Sequence, residues 1–125
     1  MAKEILGLFD KWNETLQTGD AVKVAALYAE NGGMLVPTVS PLVRHNRGEI
    51  ADYFVHFLEK HPFGVITESN VRVHGNIAVN SGLYTFTLDG DEEGSRVDVA
   101  ARFTYVYVKE GDDWFILEHH SSVLP

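Results

Sequence analysis

The 125-residue sequence contains no cysteine, only four prolines and only two methionines. Without thiols the chain can form no disulfide, and it offers neither a thiolate nucleophile nor a cysteine ligand for zinc. It also lacks an apolar run of about 20 residues, the length that a membrane-spanning helix needs. Its amphipathic and partly acidic start is unlike a signal peptide. We therefore expect a cytoplasmic protein that does not enter a membrane.

Positive charge is scarce as well, because 10 Lys and Arg residues face 18 Asp and Glu residues, which gives a net charge of −8. Such a surface repels phosphate backbones, and no basic stripe interrupts it, so nucleic acid is excluded as a partner. The acidic residues concentrate at 89–93 and 110–113, where turns are predicted, and their spacing fits no EF-hand loop. The histidines show no zinc-ligand spacing. We expect no metal and no cofactor.

Helical patterns occupy the first half of the chain. Apolar residues at helical spacing predict a first helix over 4–16, and Asp20 is suited to cap a second helix over 21–30. Residues 34–37 are typical of a short strand, and Pro37 indicates that this strand lies at the edge of the sheet or ends there. After a turn, residues 42–44 run back briefly along the same path. Asn46 and Glu49 form a capping box for a third helix, which Pro62 and Gly64 terminate.

Strand patterns occupy the second half. They predict strands over 65–74, 77–88, 97–109 and 114–124, joined by short turns in an antiparallel meander. Gly82 lies inside the second of these strands and indicates a bulge or bend that lets the sheet curl. Three helices followed by such a meander predict an α+β fold in which the helices cover one face of the sheet.

The strand over 97–109 is apolar on both faces. Phe103, Tyr105 and Tyr107 lie on one face, whereas Val106 and Val108 lie on the other. Since helices can cover only one face, the other leaves an apolar patch of the kind that marks an interface. We therefore predict a homodimer that packs through the outer sheet face.

Six stretches of the sequence match a known family in the expected order along the chain. They are WNETLQTGD (12–20), LVPTVS (35–40), DYFVHFL (52–58), GLYTFT (82–87), ARFTYVY (101–107) and WFILEHHSS (114–122). On these segments the chain resembles the nuclear-transport-factor-two-like superfamily, and within it bacterial proteins similar to the association domain of calcium/calmodulin-dependent protein kinase II. The resemblance implies one domain over 1–125, a cystatin-like cone in which a curved antiparallel sheet wraps the helices around a deep pocket.

In the kinase family this domain assembles the enzyme into large rings, and its pocket arginines bind carboxylate ligands. The resemblance places one pocket arginine at Arg102, whereas Ser121 stands where the kinase domain carries a second. Bacterial relatives are commonly single-domain dimers. Because this chain has no kinase domain, an identical role in ring assembly is not expected.

Arg102, His119 and His120 are the candidate functional side chains of the closing strands. Arg102 must be paired if it is buried, either with an anionic ligand or with an acid such as Glu118. His119 and His120 point to opposite faces of their strand, so only one of them lines the pocket, and the apolar pattern leaves open which one. A pocket histidine is a natural acid or base at neutral pH.

Other residues are expected to line the pocket or pack beside it. Asn80 lies where many close relatives carry an aspartate, and an amide cannot abstract a proton. Asp52 is expected to face solvent, and no nucleophile elbow accompanies the serines. The complete set of predicted ligand-binding residues is Arg102, His119, His120, Ser121, Tyr28, Trp12, Tyr53 and Asn80.

Three functions are open on this sequence. The first is a binding domain whose pocket takes a small, anionic or partly apolar molecule. The second is an enzyme of the ketosteroid-isomerase, dehydratase or oxidoreductase type that uses a pocket histidine. The third is an oligomerisation module without a ligand, because this superfamily places unrelated functions on one fold.

Overall fold

The computed structural model describes all residues, 1–125. Three helices precede most of a five-stranded sheet, which confirms the predicted α+β class. No helix is long and apolar enough to cross a membrane. The elements are α1 (Ala2–Leu16), α2 (Ala21–Ala25), β1 (Met34–Val36), α3 (Arg47–Phe57), a 3-10 turn (Leu58–Lys60), β2 (Phe63–His74), β3 (Ile77–Asp89), β4 (Arg96–Glu110) and β5 (Asp113–Val123).

The strands lie in the order β1-β5-β4-β3-β2. All neighbouring pairs are antiparallel except β1 and β5, which run parallel, with Met34 opposite Glu118. The predicted meander is therefore confirmed for β2 to β5. The predicted edge position of the short first strand is confirmed as well.

Helix α1 packs its apolar stripe against the inner face of the sheet. Ile5, Phe9, Trp12 and Leu16 are each at most 3% exposed and follow one another at helical spacing. The Trp12 ring makes edge contacts with Phe86 and other aromatic rings of the sheet. Burial of each such side chain contributes roughly 1.5–3 kcal/mol, so this stripe fixes the helix across the sheet.

Helix α2 is shorter than the predicted 21–30. Asp20 caps it as predicted, since its carboxylate accepts hydrogen bonds from the backbone N–H groups of Val22 and Lys23. The helix ends at Ala25 because the chain then pairs with β5. Ile116 N–H donates to the carbonyl of Leu27, and Ala29 N–H donates to the carbonyl of Ile116. The sequence pattern did not reveal this pairing.

Helix α3 begins with part of the predicted capping box. The Asn46 side chain accepts the backbone N–H of Glu49, as expected. The Glu49 carboxylate, however, accepts the backbone N–H of His45 rather than that of Asn46. The helix buries Ile50, Tyr53 and Phe54 against the rest of the core.

The two faces of the sheet differ sharply on β4. Phe103, Tyr105 and Tyr107 point inward and are at most 3% exposed. Val106 and Val108 point outward and are half-buried. The helices therefore cover the aromatic face and leave the valine face uncovered.

Two irregularities bend the sheet. The pairing of β2 with β3 shifts between Ile66 and Glu68, beside Gly82, where an added Cβ would lie 2.1 Å from the carbonyl oxygen of Glu68. This confirms the bend predicted at Gly82. The pairing of β4 with β5 shifts between Val106 and Tyr107, so that Ile116 and His119 both point inward although they are three residues apart.

Candidate functional site

An apolar cavity lies on the inner face of the sheet, between the sheet, α1, α3 and the segment that follows β1. It offers about 70 Å³ of space, several times the roughly 10–15 Å³ that one water molecule requires. Its lining residues come from every layer of the fold. They are Trp12, Leu35, Pro37, Thr38, Val39, Tyr53, Phe54, Phe57, Tyr84, Phe86, Leu88, Val99, Ala101, His119 and Ser121.

The cavity lining is neutral. Eleven of its fifteen residues are hydrophobic, and none of them is an Asp, Glu, Lys or Arg. The polar groups converge on one side of the cavity, at Thr38, Tyr84, His119 and Ser121. A molecule that enters it would therefore meet an apolar, largely aromatic wall and a single polar patch.

His119 is the centre of this polar patch and is 3% exposed. Its Nδ1 lies 2.8 Å from the hydroxyl of Tyr28, and its Nε2 lies 3.2 Å from the hydroxyl of Tyr84. Its ring stacks on Tyr105 with the ring centroids 4.1 Å apart. Both ring nitrogens and one ring face are thus occupied by the protein itself.

Burial keeps the imidazole neutral. It lowers the pKa of His119 to about 3, and the neighbouring His120 contributes a smaller effect in the same direction. Burial likewise raises the pKa of Tyr28 and of Tyr84 above the usual value for a phenol. At neutral pH the three groups therefore exchange hydrogen bonds as neutral donors and acceptors.

The proton positions in this network follow from Tyr84. Tyr84 donates its hydroxyl hydrogen to Ser121 Oγ, so it accepts from His119 Nε2, which carries the hydrogen of the neutral ring. Nδ1 is then the acceptor nitrogen and takes the hydroxyl hydrogen of Tyr28, which itself accepts Trp12 Nε1–H over 3.3 Å. The tautomer of His119 is thereby set by Tyr84.

The network ends at Ser121. Tyr84 donates its hydroxyl hydrogen to Ser121 Oγ over 2.7 Å, and the hydroxyl of Thr38 donates to the same oxygen. With its oxygen accepting twice, Ser121 keeps its own hydrogen for another acceptor. The cavity therefore presents one free hydrogen-bond donor.

Arg102 is placed differently from the expectation. It pairs in the sheet with Leu83 and Ser122, points to the outer face and is exposed. It makes no ion pair with Glu118. The placement of Arg102 in the pocket was wrong, because side chains alternate along a strand and the neighbouring Ala101 and Phe103 point inward.

The alternation predicted for the histidine pair is confirmed. His119 points into the cavity, whereas His120 lies opposite Thr104 on the outer face and is exposed. His120 therefore does not line the cavity. Thr104 lies between Arg102 and Val106 on that outer face.

The remaining predicted residues divide into two groups. Trp12, Tyr53 and Ser121 line the cavity, and Tyr28 lies behind it and holds His119. Asn80 is fully buried but does not line the cavity, so its expected pocket position was wrong. Its Oδ1 accepts a backbone N–H from β2, and its Nδ2 has no partner.

Tyr84 and Thr38 are the functional residues that the sequence reasoning missed. Tyr84 lies four positions after Asn80 on β3, so alternation along the strand places both on the inner face. That signal was available in the sequence. Thr38 follows Pro37 outside any strand, and no periodic pattern marks it.

No group of three or more His, Asp or Glu side chains able to hold a metal ion is present.

Comparison with known structures agrees with this architecture. A protein from Xanthomonas campestris, named for the calcium/calmodulin dependent protein kinase II association domain, is 49% identical with a TM-score of 0.95 over 100% of this chain and 89% of its own. A Streptomyces avermitilis protein named as a dehydratase of the NTF2-like family is 19% identical, with a TM-score of 0.84 over 98% of this chain and 95% of its own.

An NTF2-like superfamily protein from Salmonella enterica is 17% identical, with a TM-score of 0.82 over 98% of this chain and 90% of its own. At this identity the two distant structures establish the fold alone. The fold is the NTF2-like, cystatin-like fold that the sequence resemblance implies.

No match was found among curated proteins. The sequence model of the calcium/calmodulin dependent protein kinase II association domain matches residues 1–125. The chain therefore belongs to the calcium/calmodulin dependent protein kinase II association domain family.

Proposed function

We propose that this protein is a binding domain whose inner cavity takes up a small, mostly apolar molecule. The observation that carries the proposal is the cavity itself, which combines a neutral, largely aromatic lining with one unused hydrogen-bond donor, Ser121. A side-chain-filled oligomerisation module has no need of such a space. A few convergent polar groups in an apolar pocket are the usual composition of a ligand site.

Binding is favoured over catalysis by the state of His119. A general base needs a free nitrogen and a pKa near the working pH. Both ring nitrogens of His119 are hydrogen-bonded to tyrosine hydroxyls, and its pKa of about 3 makes it a weak base. No carboxylate lines the cavity to replace it. The role of His119 is therefore to orient Tyr84 and, through it, Ser121.

The lining also specifies the chemistry of the ligand. The aromatic side chains of Trp12, Phe54 and Phe86 favour a flat apolar body. The free donor on Ser121 favours an acceptor such as a carbonyl oxygen. The anionic ligand expected from Arg102 has no cation inside the cavity to pair with.

The test compares acetophenone with ethylbenzene, which has a similar shape but no acceptor oxygen, in NMR titrations. We expect acetophenone to bind more tightly to the wild-type protein. Ser121→Ala should weaken acetophenone about 2- to 10-fold, the range of one neutral hydrogen bond, and leave ethylbenzene unchanged. If neither compound perturbs residues of the cavity, the proposal is wrong.

We also propose that a second copy of the chain covers the outer sheet face. The support is an apolar patch on three adjacent strands, bordered by polar residues that include Arg102 and Glu118 on the same face. In a two-fold interface the same patch of both copies meets itself in opposite orientation. Opposite charges at the border of one patch can therefore pair with those of the other copy. The patch consists of Ile77, Val79, Val106, Val108 and Phe115.

A further inference from the structure

A second cavity adjoins the first at its rim. It measures about 160 Å³ and is lined by seven residues, of which Val39, Tyr53 and Phe57 also line the first cavity. We call this second space the rim cleft. Because three side chains belong to both spaces, a molecule that extends out of the apolar cavity past Tyr53 enters the rim cleft.

The rim cleft differs from the apolar cavity in charge. Its other four lining residues are Ser40, Arg44, His56 and Lys60, and none of the seven is acidic. This is unusual on a chain with a net charge of −8. Two permanent cations therefore face one concave space beside an opening that is otherwise aromatic.

Arg44 is the better enclosed of the two cations, because its side chain is only 14% exposed. One terminal nitrogen donates to the Asp52 carboxylate over 3.0 Å and to the carbonyl of Glu49 over 3.2 Å. The other donates to the hydroxyl of Ser40 over 3.3 Å. The guanidinium also lies over the Tyr53 ring, 5.5 Å from its centroid.

These contacts leave Arg44 incompletely paired. A guanidinium has five N–H groups, and three of those of Arg44 have acceptors, so two remain. One of the two is on Nε, which is buried without a partner. Asp52, the only carboxylate that touches Arg44, is 68% exposed and therefore well solvated. An additional anion in the cleft would complete the pairing of a cation that is already largely desolvated.

We propose that the rim cleft holds the carboxylate of a ligand whose apolar body lies in the inner cavity. The ligand class is a small amphipathic acid, with Arg44 as the hydrogen-bonding cation and Lys60 as a second, flexible one. The inference rests on the proposed binding function, since it assigns the charged end of the same ligand. It also moves the anion site from the outer face at Arg102 to the cavity entrance.

Calorimetric titration with phenylacetate and with its neutral analogue phenylacetamide tests the proposal. Wild-type protein is expected to bind phenylacetate about 10-fold or more tightly than phenylacetamide, the range of a charge-assisted hydrogen bond. Arg44→Gln should bring the two affinities within about 2-fold of each other, because it removes the charge that separates them. The affinity for phenylacetamide should fall much less than that for phenylacetate, because its neutral carbonyl loses a hydrogen bond but no ion pair.

Two exposed positions keep the test decisive if Arg44→Gln disturbs folding. Lys60→Gln should weaken phenylacetate about 2-fold or more and leave phenylacetamide unchanged. Asp52→Asn removes the carboxylate that competes for Arg44, so it should tighten phenylacetate by about 2-fold or more. A purely structural role for Arg44 predicts no such gain.

The possible failures are distinguishable. Equal affinities of the wild-type protein for phenylacetate and phenylacetamide would overturn the rim site and leave the cavity proposal standing. Tighter phenylacetate binding that persists in both Arg44→Gln and Lys60→Gln would place the carboxylate elsewhere, which also overturns the rim site. If neither probe binds while acetophenone does, the rim site is wrong; if acetophenone fails as well, both proposals are wrong.

Discussion

The hydroxyl of Tyr28 lies 2.8 Å from Nδ1 of His119, and this contact joins the chain after α2 to the last strand of the sheet. Tyr28 is fully buried, and His119 is 3% exposed. The contact fits the tautomer in which His119 Nε2 donates to Tyr84 and Tyr84 donates to Ser121. A continuous chain of enclosed hydrogen bonds therefore runs from Tyr28 to the donor that the cavity presents.

Tyr28→Phe is expected to destabilise the protein by about 2–4 kcal/mol, because it leaves His119 Nδ1 and Trp12 Nε1 buried without a partner. The free energy of unfolding in urea measures this effect. Tyr53→Phe is the matched control, because the hydroxyl of Tyr53 makes no hydrogen bond to the protein, and it should cost well under about 1 kcal/mol. Equal costs for the two variants would contradict the account of the network.

Stability should fall as the pH is lowered from about 6.5 toward 5. The pKa of His119 is depressed to about 3 in the folded state, from an ordinary value of 6.5. Below pH 6.5 the unfolded chain takes up a proton at this histidine, whereas the folded protein keeps the imidazole neutral. The free energy of unfolding therefore decreases as the pH falls, by up to about 1.4 kcal/mol per pH unit.

The window between pH 6.5 and 5 separates His119 from the two carboxyl groups whose pKa values are lowered. The other folded groups with lowered pKa values, Glu49 and Asp89, have ordinary values of 4.5 and 3.8, so they contribute at lower pH. Urea unfolding at several pH values provides the measurement. A flat stability profile between pH 6.5 and 5 would show that His119 is not held neutral.

Two glycines with opposite surroundings test the bend in the sheet. Gly82→Ala places a Cβ 2.1 Å from the backbone carbonyl of Glu68, so one of the two strands must move. We expect a loss of about 2 kcal/mol or more, as for other overpacked positions. Gly7 lies on the exposed face of α1, and an added Cβ there has no atom within 4 Å. Gly7→Ala should therefore stabilise the protein by about 1 kcal/mol, because alanine favours the helix more than glycine does. Thermal unfolding of both variants gives the comparison, and a neutral Gly82→Ala would mean that no close approach exists there.

Val106→Lys is expected to abolish the proposed homodimer, because it places a charge in the centre of the outer apolar patch. Light scattering after size exclusion should give twice the 14.0 kDa chain mass for the wild-type protein and the chain mass for the variant. Val22→Lys on α2, outside the sheet, changes a valine that is 71% exposed, and this variant should remain a dimer. A wild-type monomer would refute the dimer directly.

Local rules were enough to predict most of the fold. The apolar stripe of α1, the cap at Asp20 and the bend at Gly82 each depend on residues close in sequence, and each was predicted correctly. The early end of α2 depends on Ile116, which is about ninety positions further along the chain. No local pattern reports a partner at that distance.

The site was harder to predict because it depends on register. The irregularity after Val106 brings both Ile116 and His119 inward, which strict alternation forbids. Arg102 was assigned to the pocket against the alternation that its neighbours Ala101 and Phe103 obey. Arg44 lies between β1 and α3, in a segment without a periodic pattern, and only the assembled fold brings it to the cavity entrance.

The most direct test of the account is the affinity of acetophenone for Ala101→Leu, measured by NMR titration beside the wild-type protein. Ala101 is 3% exposed and lines the cavity, so a leucine at this position occupies the space that the ligand needs. Urea unfolding of the variant establishes that it is folded. We expect the wild-type protein to bind and the folded variant to lose binding; unchanged affinity in the folded variant would show that the cavity is not the binding site.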